Sequence, residues 1–96
     1  MKRIMVDLSA TLIHHGHIRL LRRASLEGDV IVALTSDDEI FNNKGYRAEL
    51  TFAQRAEILS AVIYVKEIVS SNWLIDEDFL DEHNIDFLAH GSDNSN

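Results

Sequence analysis

No cysteine occurs in this 96-residue chain, so neither a disulfide framework nor a thiolate nucleophile nor a thiolate metal site can form. That composition fits a reducing cytoplasm. Proline is absent too, and no internal repeat or low-complexity tract precedes the polar end Ser92-Asp93-Asn94-Ser95-Asn96. No apolar run approaches the length of a membrane span, and the basic start Met1-Lys2-Arg3 reaches Asp7 too soon for a signal peptide. Cations are missing after Lys66, whereas carboxylates continue to Asp93 and the formal net charge is -7. An acidic tail argues against duplex nucleic acid as the main partner, because a phosphate backbone needs a basic face. At this length a single domain is expected.

What is present is an alternation of short apolar runs with amphipathic stretches. Arg3 to Leu8 and Val30 to Thr35 read as strands buried on both faces, with Val65 to Ser70 and Asp86 to His90 as a third and fourth. Ile18, Leu21 and Ala24 with Leu26 recur at helical spacing over His17 to Glu27, and Gly28 can close that helix. Ser36 with Glu39 makes a capping box for a short helical turn, followed by a polar loop, Asn42-Asn43-Lys44-Gly45, that leaves Lys44 free to move. Thr51 with Gln54 opens another helix, whose apolar stripe is Phe52, Ala56, Leu59, Val62 and Ile63. Ile75 to His83 is expected to be helical with Phe79 and Leu80 inward. Strands alternating with helices predict an α/β fold built on a parallel sheet with right-handed crossovers. Ligands of such sheets bind beyond the carboxyl ends of the strands, where three polar clusters fall: Ser9 to His17, Thr35 to Lys44, and His90 to Asp93.

His14-His15-Gly16-His17 carries the most chemistry. Gly16 lets the backbone approach a ligand, and His17 at a helix start sets exposed amides and the positive dipole end beside it, which suits an anion. If His14 and His17 both donate to one phosphate, they stabilise the charge that builds on its oxygens as a fifth ligand arrives. Lys44 would add a mobile positive charge, and Arg55 a forked contact to another phosphate. Nucleotidyl transfer to a phosphate or phosphonate needs no protein nucleophile, since the acceptor is itself largely dianionic. Mg2+ would neutralise a nucleoside triphosphate and its pyrophosphate leaving group without a dedicated protein metal cage. Competing readings stay open: the three imidazoles as a transition-metal site, Lys44 as a loop charge, and Arg19, Arg22 and Arg23 as a solvated helix face. His15 suits a packing or surface role, and His83 and His90 suit a helix end and a strand end.

The signature His14-x-Gly16-His17 is followed by Ile18-x-Leu20-Leu21, Glu27-Gly28-Asp29, Arg55, Tyr64-Val65 to Glu67, Asn72-Trp73, His83-Asn84-Ile85-Asp86, and Gly91 with Asp93. In that colinear order, over nearly the whole chain, it resembles the small nucleotidyltransferases of the cytidylyltransferase class, the HxGH family. The resemblance implies a Rossmann-like three-layer α/β fold with helices on both faces of a parallel sheet. It further implies CTP and Mg2+ as reactants and a phospho-alcohol (glycerol 3-phosphate-like) or phosphonate acceptor. Pyrophosphate release and a cytoplasmic homodimer, with no nucleic-acid or membrane partner, complete the expectation. On this resemblance His14, His17 and Lys44 would be catalytic, and Ser9, Ala10, Gly16, Arg55, Trp73, Gly91 and Asp93 would bind nucleotide or substrate. Trp73 has the alternative of packing under the fold, and Asp93 of merely ending a strand.

Two features depart from the family pattern. Leu8-Ser9-Ala10-Thr11 stands where many members carry Gly-Thr/Ser-Phe-Asp, a form similar to the branch associated with phosphonate metabolism. A terminal Arg-Thr-x-Gly-Ile-Ser-Ser/Thr-Thr type motif does not follow before Asn96. Residues 1–96 are therefore expected to form one nucleotidyltransferase-like domain lacking the family's last strand and helix. The alternative is a nucleotide- or phosphate-binding module without turnover.

Overall fold

Side-chain alternation gives the two central strands two apolar faces. In β1 (Arg3–Leu8) Ile4, Val6 and Leu8 pack on one side and Met5 on the other. In β2 (Asp29–Thr35) Val30, Val32 and Leu34 oppose Ile31 and Ala33 in the same way. Two apolar faces require cover on both sides, and the computed structural model, which describes residues 1–10 and 13–90, supplies it with helices. Helices α1 (His15–Ser25) and α3 (Phe52–Ser60) bury Leu21, Ala24 and Leu59 against the Ile4 face. A fully buried leucine of this kind contributes about 1.5–3 kcal/mol. On the Met5 face, α4 (Glu77–Glu82) contributes Phe79 and Leu80.

With β3 (Val65–Ser71) and β4 (Phe87–His90), the strands form one parallel sheet in the order β3-β2-β1-β4. Ile4 lies opposite Val30 on one side and Phe87 on the other, and Asp7 lies opposite His90. The chain steps outward from β1 to β2 to β3, then returns through α4 to the far side of β1. The strand order reverses at β1, so its carboxyl end is the topological switch point where open α/β sheets bind ligands. This is the Rossmann-like three-layer arrangement expected from the sequence.

Element boundaries differ from expectation in all four helices. Asn42, Asn43 and Lys44 are the last turn of α2 (Asp37–Lys44) rather than a loop, because the helix runs on to Gly45, whose left-handed φ of 81° ends it. The Asn43 amide supports that turn by donating to the Glu39 carbonyl at 2.8 Å. Ile63 is 87% exposed because α3 stops before reaching it and the helical phase of its stripe is lost. Leu26, 79% exposed, caps α1 in helical conformation but lies two residues past Ala24, on the side away from the buried stripe. Helix α4 is confined to six residues behind an Asp76 cap. At Gly28 the requirement is space: a Cβ there would stand 2.3 Å from the Lys2 carbonyl oxygen, which accepts the Asp29 N–H at 2.8 Å.

Candidate functional site

Helix α1 starts at the carboxyl end of β1, and its first turn is capped by histidines instead of the usual Ser or Asp. His14 is the N-cap in extended conformation, and its Nδ1 accepts the Gly16 N–H at 3.0 Å. Three residues on, His17 Nδ1 accepts the His14 N–H at 3.0 Å, so the two side chains cap each other's backbone. A nitrogen that accepts an amide N–H carries no proton, so each neutral imidazole holds its proton on Nε2. The rings lie 4.1 Å apart between centroids, with His17 buried and His14 exposed. Both imidazoles thus keep an N–H donor at Nε2 beside a helix N-terminus, that of His14 on an exposed ring and that of His17 buried, where the helix amides and dipole favour an anion. Gly16 is needed because the His14 ring lies over it: a Cβ would meet His14 Cε1 at 2.8 Å. His15 is exposed on the first turn.

Just upstream, Ser9 and Ala10 are buried, and Ala10 adopts φ 48°, a left-handed conformation unusual for a residue with a Cβ. The β1 and β2 ends are tied where Thr35 Oγ1 donates to the Leu8 carbonyl at 3.3 Å. Arg55, expected as a forked phosphate contact, is fully buried and turned onto protein acceptors. Its Nη1 donates to the carbonyls of Ser9 at 2.6 Å and Thr35 at 2.9 Å, its Nε to Leu50 at 3.1 Å, and its Nη2 to Asp37 Oδ1 at 2.7 Å.

Sequence reasoning missed Asp37. Its other oxygen accepts the Phe52 N–H at 3.0 Å, so one carboxylate joins the start of α2 to the start of α3. Burial alone would raise the pKa of this carboxyl, but the Phe52 N–H, the Arg55 hydrogen bond and the charges of Arg55 and Arg47 outweigh it and lower the value. In sequence, Asp37 looks like any acid in a helix first turn.

A third cluster lies at the end of β3. Lys44 Nζ sits 5.8 Å from the centre of the half-buried Trp73 ring, and the Trp73 backbone N–H donates to Glu39 Oε1 at 2.7 Å. Lys44 and Trp73 are therefore brought together, with Lys44 carried on α2. Expected nucleotide contacts Gly91 and Asp93 lie outside the described residues. Among the described residues no group of three or more His, Asp or Glu is gathered so that it could hold a metal ion, and no helix is long and apolar enough to cross a membrane.

Comparison with known proteins matches the sequence to a known family. The family model described as cytidylyltransferase-like matches residues 10–96. The glycerol-3-phosphate cytidylyltransferase of Bacillus subtilis (strain 168) is 35% identical over 94 residues, which cover 97% of this chain and 73% of that protein. An ethanolamine-phosphate cytidylyltransferase of Arabidopsis thaliana is 36% identical over 97 residues, 95% of this chain but 23% of that much longer protein. Among solved structures, the lipopolysaccharide core biosynthesis protein of Thermoplasma volcanium GSS1 superposes with a TM-score of 0.79 at 20% identity, over 92% of this chain and 72% of that one. That likeness concerns the fold.

Proposed function

The chain belongs to the cytidylyltransferase-like family, and on that premise we propose that it transfers the CMP group of CTP to a phosphate or phosphonate oxygen of a small acceptor. The acceptor oxygen attacks the α-phosphorus, the bond to the bridging oxygen breaks, and pyrophosphate leaves with the electron pair. Mg2+ enters as part of the nucleotide substrate and neutralises the triphosphate. The observation that carries this reading is the paired imidazoles, each with Nδ1 engaged by a backbone N–H and therefore with its proton on Nε2.

In this mechanism the Nε2–H groups of His14 and His17 donate to oxygens of the α-phosphate, and the α1 amino terminus adds its positive end. Charge builds on those oxygens only as the fifth bond forms, so the donors favour the transition state over bound substrate. Lys44, beside the Trp73 ring, supplies a further positive charge to the triphosphate, while Ser9, Ala10 and Gly16 are assigned to the nucleotide by family resemblance. Trp73 borders the nucleotide, and Gly91 and Asp93 are assigned to it by family resemblance. Relatives named for glycerol 3-phosphate and for ethanolamine phosphate support a small phospho-alcohol acceptor, and Ser9-Ala10 supports a phosphonate as the other candidate. The proposal includes a cytoplasmic homodimer, in keeping with the cysteine-free composition and the family resemblance.

The test is pyrophosphate release from CTP or ATP with Mg2+ and each of three acceptors: glycerol 3-phosphate, phosphoethanolamine and an aminoalkylphosphonate. Acceptor-dependent release with CTP supports transfer. Calorimetric binding of CTP with no release under any acceptor supports instead a nucleotide-binding module without turnover.

A further inference from the structure

We propose that Arg55 is a positioning residue of this site: through its carbonyl contacts and Asp37 it clamps together the segments that carry His14, His17 and Lys44, without touching substrate. The inference rests on the transfer reading above and assigns to a side chain of that site a different task from binding phosphate.

The clamp joins four segments. Arg55 Nη1 holds the Ser9 carbonyl, on the connection from β1 toward the His14 cap, and the Thr35 carbonyl, where β2 ends just before the Ser36 cap of α2. Nη2 holds Asp37, the first residue of the helix whose last residue is Lys44. Nε holds the Leu50 carbonyl, beside the Thr51 cap of the helix that bears Arg55 itself. Four of its five N–H groups are thus committed to protein acceptors, and the side chain has no exposure through which a phosphate could be reached.

A guanidinium suits this task and an ammonium does not. Its charge is permanent, so burying it demands acceptors on several sides and a counter-ion. Its planar fork reaches separate acceptors from three nitrogens, whereas a lysine offers three protons from a single point. Asp37 completes the arrangement: one oxygen neutralises Arg55 and the other accepts the Phe52 N–H, so the ion pair and the α3 start share one carboxylate. Removing that charge leaves the guanidinium buried without its counter-ion and loosens the β1 and β2 ends together.

The test compares the full chain with Asp37→Asn, which keeps the side-chain volume and an oxygen for the Phe52 N–H, and with Arg55→Lys. Circular dichroism identifies folded variants. Long-range 1H–15N spectra then report the imidazole nitrogens of His14 and His17, and steady-state pyrophosphate release gives kcat and KM for CTP. The expected result for folded Asp37→Asn is displaced imidazole nitrogen signals and a kcat lowered about 100-fold, with KM for CTP within about threefold of the parent. Imidazole signals and kcat unchanged in folded Asp37→Asn overturn the proposal. So does a folded Arg55→Lys that keeps kcat and raises only KM, the mark of direct substrate binding. If the parent chain releases no pyrophosphate, the functional reading fails, and the imidazole spectra alone decide whether Asp37 and Arg55 position the histidines.

Discussion

His17 Nδ1 accepts the backbone N–H of His14 at 3.0 Å, so the side chain that would meet the reacting phosphate also caps the helix that presents it. Changing His17 therefore has two separable effects. His17→Ala is expected to lower kcat about 10²–10³-fold, as for loss of one oxyanion donor, and to destabilise the fold by about 1 kcal/mol through the lost cap. Urea unfolding gives the second number independently of the first. A substitution to Asn, which retains a capping oxygen, should recover stability without recovering turnover.

Acid should act on the Asp37 carboxyl. Its native pKa lies below the ordinary 3.8, so as pH falls the unfolded chain takes up the proton first. The stability it contributes is complete above that value and is lost as pH drops toward the native pKa. Urea midpoints measured from pH 6 to pH 2 should fall less steeply for Asp37→Asn than for the parent in the acid limb. Equal slopes would mean that the carboxylate contributes nothing.

Gly28 is a steric prediction. A Cβ at 2.3 Å from the Lys2 carbonyl oxygen forces apart the bend between α1 and β2, because the obstacle is backbone. Gly28→Ala should cost about 1–3 kcal/mol in urea unfolding. Gly45→Ala has open space around the new Cβ, and its cost comes only from the left-handed φ of 81°.

Ala10 tests strain near the site. With φ 48° and no exposure, it tolerates neither a β-branched side chain nor added volume. Ala10→Val should lose more than about 2 kcal/mol. Ala10→Gly, which relieves the backbone but forfeits a buried methyl and gains unfolded-state freedom, should stay within about 1 kcal/mol of the parent. Chemical denaturation of the two variants side by side measures the difference.

Much of this arrangement was legible in the chain because it depends on neighbours. The Val30–Thr35 run and the Arg3–Leu8 alternation announce buried strands, Thr51 with Gln54 announces a helix start, and His14 with His17 sit one turn apart. What escaped depends on contacts between distant segments. Arg55 meets Asp37 from 18 residues away, and it meets the Ser9 and Thr35 carbonyls only once β1 and β2 are paired. Lys44 reads as a loop residue because Asn42 and Asn43 are turn formers, yet the Ser36 cap and the Gly45 stop keep it helical and set it on Trp73. The exposure of Ile63 follows from where α3 ends, which periodicity alone does not mark.

The most direct measurement is steady-state pyrophosphate release from Mg2+ and CTP, with and without acceptor, by the parent chain and by His17→Ala. The expected result is release that depends on a phosphate- or phosphonate-bearing acceptor and drops at least about 100-fold in the variant. Release that ignores the acceptor, or that survives His17→Ala at the parent rate, would contradict the assignment of the paired imidazoles to nucleotidyl transfer.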